Sequence, residues 1–156
     1  MSQSSGRIAG IDFGTVRIGI AISDANQSFA SPFETYQRKG EEADRKRFQR
    51  LAAEEQIGLF VVGLPVHLDG RESVKSKEAR RFGQWLTETT GVSVRFFDER
   101  FTTHEAQLHL ADAKLSKKKR KERLDKLAAQ IMLTAFLEHQ RAHPDEAAEP
   151  PRGLEG

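Results

Sequence analysis

The chain has 156 residues, 37% hydrophobic and 31% charged, which supplies one core of ordinary domain size and not two. A net charge of +2 permits a polyanionic partner without demanding one. There is no cysteine, so disulfides, thiolate metal sites and a cysteine nucleophile are excluded. No apolar run approaches the roughly 20 residues of a membrane span. The polar residues 1–7 carry no apolar signal stretch, and a soluble cytoplasmic protein is expected.

Residues 7–13 form a short, mostly apolar run before Gly14 and read as a strand. Residues 17–23 alternate Ile18, Ile20 and Ile22 with smaller side chains, the period-2 pattern of a second strand. The link between them is short enough for a hairpin. A third strand is expected over about residues 29–37, with Pro32 inside it. Residues 41–56 place Phe48, Leu51 and Ala52 at helical spacing, with Gly58 as the expected stop. The continuous apolar run 59–64 suits a strand covered on both faces and ends at Pro65. Asp69 and Glu72 have capping-box spacing for a helix that runs to about Thr90 and stops at Gly91.

Residues 92–97 read as a fifth strand. Thr102 and Glu105 have capping-box spacing for a helix to about Ala113, and a last helix is expected from Ser116 to about Gln140. The proline-rich, acidic end cannot bury enough apolar surface to order itself. One domain over residues 1–141, followed by a disordered tail over 142–156, is therefore expected. A strand meander followed by alternating helices and strands implies an α/β fold, with a mixed five-stranded sheet flanked by helices on both faces.

A symmetric hairpin closing at Thr15-Val16 sets Phe13 opposite Ile18, Asp12 opposite Gly19 and Gly10 opposite Ala21. Alternation then gives Asp12 a face of small residues, Gly10, Gly14, Gly19 and Ala21, with room above it for a ligand. The other face, Ala9, Ile11, Phe13, Ile18, Ile20 and Ile22, is core. An aspartate within a strand calls for a compensating cation or metal. It could equally cap the turn backbone at Gly14-Thr15.

Asp98 and Glu99 close the last strand. Consecutive residues face opposite ways, so one of the two reaches the Asp12 face, unless Asp98-Glu99-Arg100 is an exposed turn. Strand ends of this kind open into the ligand crevice of α/β sheets. Asp125 flanks an apolar stripe of Leu124, Leu127, Ala128, Ile131 and Ala135. It either points back across the helix–sheet interface or faces solvent and pairs with the basic cluster before it. That cluster, Lys117, Lys118, Lys119, Arg120, Lys121 and Arg123, is either a phosphate track or a plain solvated face. The histidines show no convincing metal spacing: His139 and His143 lie at the end of the last helix, and His67 and His104 lie in or beside loops. No Gly-x-Ser-x-Gly supports serine-hydrolase chemistry.

Four segments in order resemble the YqgF family over about residues 6–140. They are Gly10-Ile11-Asp12-Phe13-Gly14-Thr15 with Arg17-Ile18-Gly19, Gly63-Leu64-Pro65 with Asp69-Gly70, Asp98-Glu99-Arg100 with Thr102-Thr103, and Asp125-Lys126-Leu127-Ala128-Ala129. This bacterial group is described as Holliday junction resolvases and as nucleases of pre-16S rRNA processing. The resemblance implies an RNase H-like fold, and it maps the family's acidic residues to Asp12, Glu99 and Asp125, selecting Glu99 over Asp98. The chain departs from the family pattern at Val16, His67 and Phe101, none of which is a carboxylate position.

The chemistry so implied is metal-dependent phosphodiester hydrolysis, with Asp12, Glu99 and Asp125 as catalytic residues and as ligands of Mg2+ or Mn2+, two ions in all. Arg17, Arg100, Thr102, Thr103, Lys118 and Arg120 are the expected nucleic-acid contacts. The partner would be structured RNA or branched DNA, with ribosomal precursor particles as a setting and no membrane. A monomer and a weak homodimer both fit. Gly10 to Thr15 also resembles the phosphate loop of sugar kinases and actin, but those proteins enclose a nucleotide between two domains and this chain has no second such loop. A non-catalytic nucleic-acid adaptor would have no use for all three acids.

Overall fold

The computed structural model describes residues 6–65, 69–102 and 117–144, with the backbone alone for 117–123. A hairpin of β1 (Arg7–Asp12) and β2 (Arg17–Ser23) is extended by β3 (Ala30–Gln37). Helix α1 (Glu41–Glu54) leads to β4 (Ile57–Leu64), and α2 (Val74–Thr90) leads to β5 (Val94–Asp98). A 3-10 turn over Glu99–Phe101 follows, and α3 (Lys117–Ala142) is the last described helix. The strand order is β3-β2-β1-β4-β5, with β4 parallel to β1 and β5 parallel to β4. The sheet is thus mixed and five-stranded, as the element order implied. The helix expected near 102–113 lies outside the described residues, as does most of the tail expected from residue 142, but at its start α3 continues through Ala142 and the His143 N–H donates to the His139 carbonyl at 2.9 Å.

The hairpin takes the expected register: Asp12 pairs with Gly19 and Gly10 with Ala21. One face of the sheet carries Ala9, Ile11, Ile18, Ile20 and Ile22 against Phe48 and Leu51 of α1 and Phe82 and Leu86 of α2. Burying each such side chain contributes about 1.5–3 kcal/mol, so this face is the main driving force for folding. The other face carries Ile8, Ala21, Val61 and Phe97 beneath α3.

Several local expectations are corrected. The small-residue face is not an open floor, because α3 lies on it. A Cβ added at Gly10 would stand 2.8 Å from the Leu133 Cβ, and one at Gly19 would overlap the Asp125 carbonyl oxygen. The glycines therefore admit the helix backbone. The stripe that α3 buries is Ala129, Met132, Leu133, Phe136 and Leu137, while Leu124 is exposed. Asp125 lies one turn before Ala129 and so falls in line with the buried stripe instead of beside it.

Helix α1 gives way at Gln56, which takes φ 54, and Gly58 already belongs to β4. Helix α2 is capped by Ser73, whose hydroxyl accepts from the Ser76 N–H at 3.0 Å, and not by Asp69. Glu72 accepts from Arg80 instead of closing a capping box. Gly91 ends α2 in the left-handed region at φ 76, as its position suggested. Pro32 is tolerated because β3 is an edge strand, with a register irregularity beside it.

Candidate active site

Strands β1, β4 and β5 run parallel, so their carboxyl ends, at Asp12, Leu64 and Asp98, emerge at one edge of the sheet. Asp12 stands between two glycines. Gly19 is its hairpin partner, and on the other side the register that sets Ile11 against Val62 brings Gly63 next in line. Each glycine makes room for another acidic residue. The Asp125 backbone lies over Gly19, and the Glu99 carboxylate lies over Gly63, where a Cβ would overlap its Oε2. Strand β1, the 3-10 turn after β5 and helix α3 therefore deliver Asp12, Glu99 and Asp125 to one neighbourhood.

The electrostatics follow from this crowding. Burial, reinforced by the charges of Glu99 and Asp125, lifts the Asp12 carboxyl from its ordinary 3.8 to about 7, and Lys75 offsets part of the rise. Burial, with Asp98 nearby, also raises Glu99. Asp98 behaves differently. Burial would raise it, but the side chain and backbone N–H of Arg100 donate to it and hold it below the usual range. Of the two adjacent acids, Asp98 is spent on Arg100, and Glu99 is the one whose charge acts on Asp12. Asp125 Oδ2 accepts from Arg17 Nε at 2.8 Å, with the two side chains 27% and 29% exposed. This pair closes one side of a cleft of about 280 Å³ bounded by the β1–β2 turn, Lys75, Glu78 and Asp125.

A model of the RuvX family, described as "Holliday junction resolvase", matches residues 6–139. The chain belongs to the RuvX family. A relative from Rhodopirellula baltica, named "Putative pre-16S rRNA nuclease", is 50% identical over 135 residues, covering 86% of this chain and 78% of that one. One from Koribacter versatilis with the same name is 39% identical over 145 residues, covering 93% and 95%. Among solved structures, Thermus thermophilus RuvC in complex with a Holliday junction substrate superposes with a TM-score of 0.56 at 15% identity, over 94% of this chain and 99% of that one. A second RuvC structure from the same organism gives 0.51 at 14% identity, covering 94% and 99%. This likeness places the RuvX chain in the RNase H-like fold.

The other residues expected at the site are disposed as follows. Arg17 is engaged with Asp125, and Arg100 with Asp98. The Thr102 hydroxyl donates to the Glu99 carbonyl at 2.8 Å, pinning the turn that carries Glu99. Thr103 lies outside the described residues, as do the side chains of Lys118 and Arg120, although both positions fall in α3. Lys75 was not anticipated. It stands in the first turn of α2, where a cation opposes the helix dipole and no acidic residue accompanies it. That misplaced charge was the available signal, and the site supplies its reason. His139 and His143 stack on each other at 4.2 Å, with His139 against Phe101, in an aromatic row and not a ligand set.

The donor chemistry of Asp12, Glu99 and Asp125 suits a hard divalent cation, which would offset the desolvation that chiefly raises the Asp12 carboxyl and the Glu99 and Asp125 charges that add to it. Among the described residues, no three histidine, aspartate or glutamate side chains are gathered closely enough to enclose an ion. Arg17 holds Asp125 instead. No helix among the described residues is long and apolar enough to cross a membrane.

Proposed function

We propose that the protein is a cytoplasmic metal-dependent nuclease that hydrolyses phosphodiester bonds, acting on the 5′ end of pre-16S rRNA within ribosomal precursors. The names of its curated relatives support the RNA substrate. The observation that carries the chemistry is Asp12, half-buried, with its carboxyl raised to about 7 by desolvation and by the charges of Glu99 and Asp125. Residues 1–141 form the nuclease domain in this reading, and 142–156 a tail.

Asp12, Glu99 and Asp125 would hold Mg2+ or Mn2+, as two ions, which would supply Lewis-acid activation of water and of the leaving oxygen. Asp125 reaches that role by exchanging its Arg17 partner for a cation. Arg17, once released, would bind a substrate phosphate in the cleft that it lines together with Lys75. Arg100 neutralises Asp98 and Thr102 fixes the Glu99 turn, so both act by positioning Glu99. Thr103, Lys118 and Arg120 are assigned to the path of the nucleic acid backbone.

The family description favours a second reading, resolution of Holliday junctions. That activity needs two symmetric cuts and hence a dimer. The wild type and an Asp12→Asn variant, each incubated with a pre-16S rRNA fragment and with a four-way DNA junction in Mg2+ or Mn2+, separate the possibilities. The wild type is expected to cut the RNA and leave the junction intact, and the folded variant is expected to cut neither. Paired symmetric cuts in the junction alone would select the second reading. Undiminished cleavage by Asp12→Asn would remove Asp12 from the chemistry.

A further inference from the structure

Across the β1–β2 turn from the carboxylate cleft lies a second cleft, of about 330 Å³. The two share Phe13, Thr15 and Glu78 in their linings, so they adjoin at the turn. We propose that the second cleft receives one unpaired nucleobase of the strand whose phosphate lies at Asp12. The inference rests on the nuclease reading and adds a recognition site to it.

The wall of the cleft is aromatic. Phe13 and Phe82 lie 4.8 Å apart between ring centroids, and Phe82 and Trp85 lie 5.3 Å apart. The Arg38 guanidinium stands 5.4 Å from the Phe13 centroid and 6.0 Å from that of Phe82. It is held there by a buried anchor. Arg38 Nε donates to Asp44 at 3.1 Å, and Asp44 also accepts from the Tyr36 hydroxyl at 2.7 Å and the Lys39 N–H at 3.0 Å. A guanidinium fixed in this way offers a rigid planar surface, and unstacked bases dock on such planes and on aromatic rings.

The rim selects the class of occupant. Arg38, Arg81, Glu41 and Glu78 line the cleft beside the rings, two charges of each sign. A phosphate would meet two carboxylates there, and an aliphatic group would offer the charged rim no hydrogen bond. A planar group whose edge both donates and accepts hydrogen bonds satisfies both signs, and a nucleobase is such a group. The two clefts adjoin at the β1–β2 turn, so a strand bound in the cleft beside Arg17 and Asp125 can swing a neighbouring base around the turn. Such a site would direct cutting to positions beside an unpaired nucleotide.

Trp85 is the only tryptophan of the chain, so its fluorescence reports on this cleft alone. The test uses the Asp12→Asn protein in Mg2+, titrated with a labelled RNA stem carrying one bulged adenosine and with the same stem carrying an abasic residue at that place. Label anisotropy gives affinity, and Trp85 emission gives occupancy of the cleft. The bulged RNA should quench Trp85 and bind about 10-fold tighter than the abasic one, as a single stacked base provides. Replacing the exposed rim residue, Arg81→Ala, should narrow that preference to about 3-fold or less. Equal affinity for both RNAs, or unchanged Trp85 emission at saturation, overturns the base site and leaves the nuclease reading standing. Absence of any anisotropy change with either RNA removes both.

Discussion

Neutralising Asp12 should stabilise the protein while abolishing its activity, and the gain should depend on pH. Asp12 is raised from 3.8 to about 7 by burial and by the charges of Glu99 and Asp125. Between those values the folded chain keeps a proton that the unfolded chain releases, so folding stability falls as pH rises. The penalty is absent below about pH 4, grows through the interval, and is complete above about pH 7. At about 1.4 kcal/mol per unit, and with some solvent access to the group, it amounts to about 2–4 kcal/mol at pH 8. Asn keeps the shape of Asp and removes the charge. Urea unfolding of wild type and Asp12→Asn without divalent ions should therefore give nearly equal stabilities at pH 4. The variant should lead by about 2–4 kcal/mol at pH 8. Adding Mg2+ at pH 8 should then raise the stability of the wild type and not that of the variant, since ligation favours only the protein that binds. A stability difference that does not change between pH 4 and 8, or a variant less stable at pH 8, would refute the assignment of crowded charge to Asp12.

Three further outcomes follow from the packing around the site. Gly19→Ala places a Cβ against the Asp125 backbone carbonyl, which cannot yield without moving α3, and chemical denaturation should show a loss of about 2–3 kcal/mol. Gly63→Ala meets the Glu99 side chain first, which can swing aside, so stability should change by less than about 0.5 kcal/mol. Its cleavage rate in single-turnover assays should nonetheless fall about 100-fold as Glu99 is displaced. Asp44→Ala leaves Tyr36, Arg38 and the Lys39 N–H without their buried acceptor, and thermal or urea melts should show a loss of about 3 kcal/mol.

The part of the site on the hairpin was legible in the sequence because a short turn and strict alternation leave one sensible register, with Asp12 against Gly19. The face that register exposes was also legible, but its purpose was not. Small residues leave space without saying whether a ligand or a helix fills it, and at Gly10 and Gly19 the helix does. The choice between Asp98 and Glu99 could not come from alternation, because the strand ends at Asp98 and a 3-10 turn begins at Glu99. Asp125 was located on the right helix but beside the wrong stripe. Reading hydrophobicity favoured Leu124 and Leu127, whereas close approach to glycine decided which side faces the sheet. Lys75 was hidden for a different reason: the carboxyl its charge acts on, Asp12, is distant in sequence and comes within range only in the folded chain.

The central claim is tested most directly by anomalous diffraction from a crystal soaked in Mn2+ with an uncleavable RNA. The account predicts manganese density bounded by the carboxylates of Asp12 and Glu99, with Asp125 turned off Arg17 to join them. Manganese bound elsewhere while Asp125 stays on Arg17, or no density at this edge of the sheet, would contradict it.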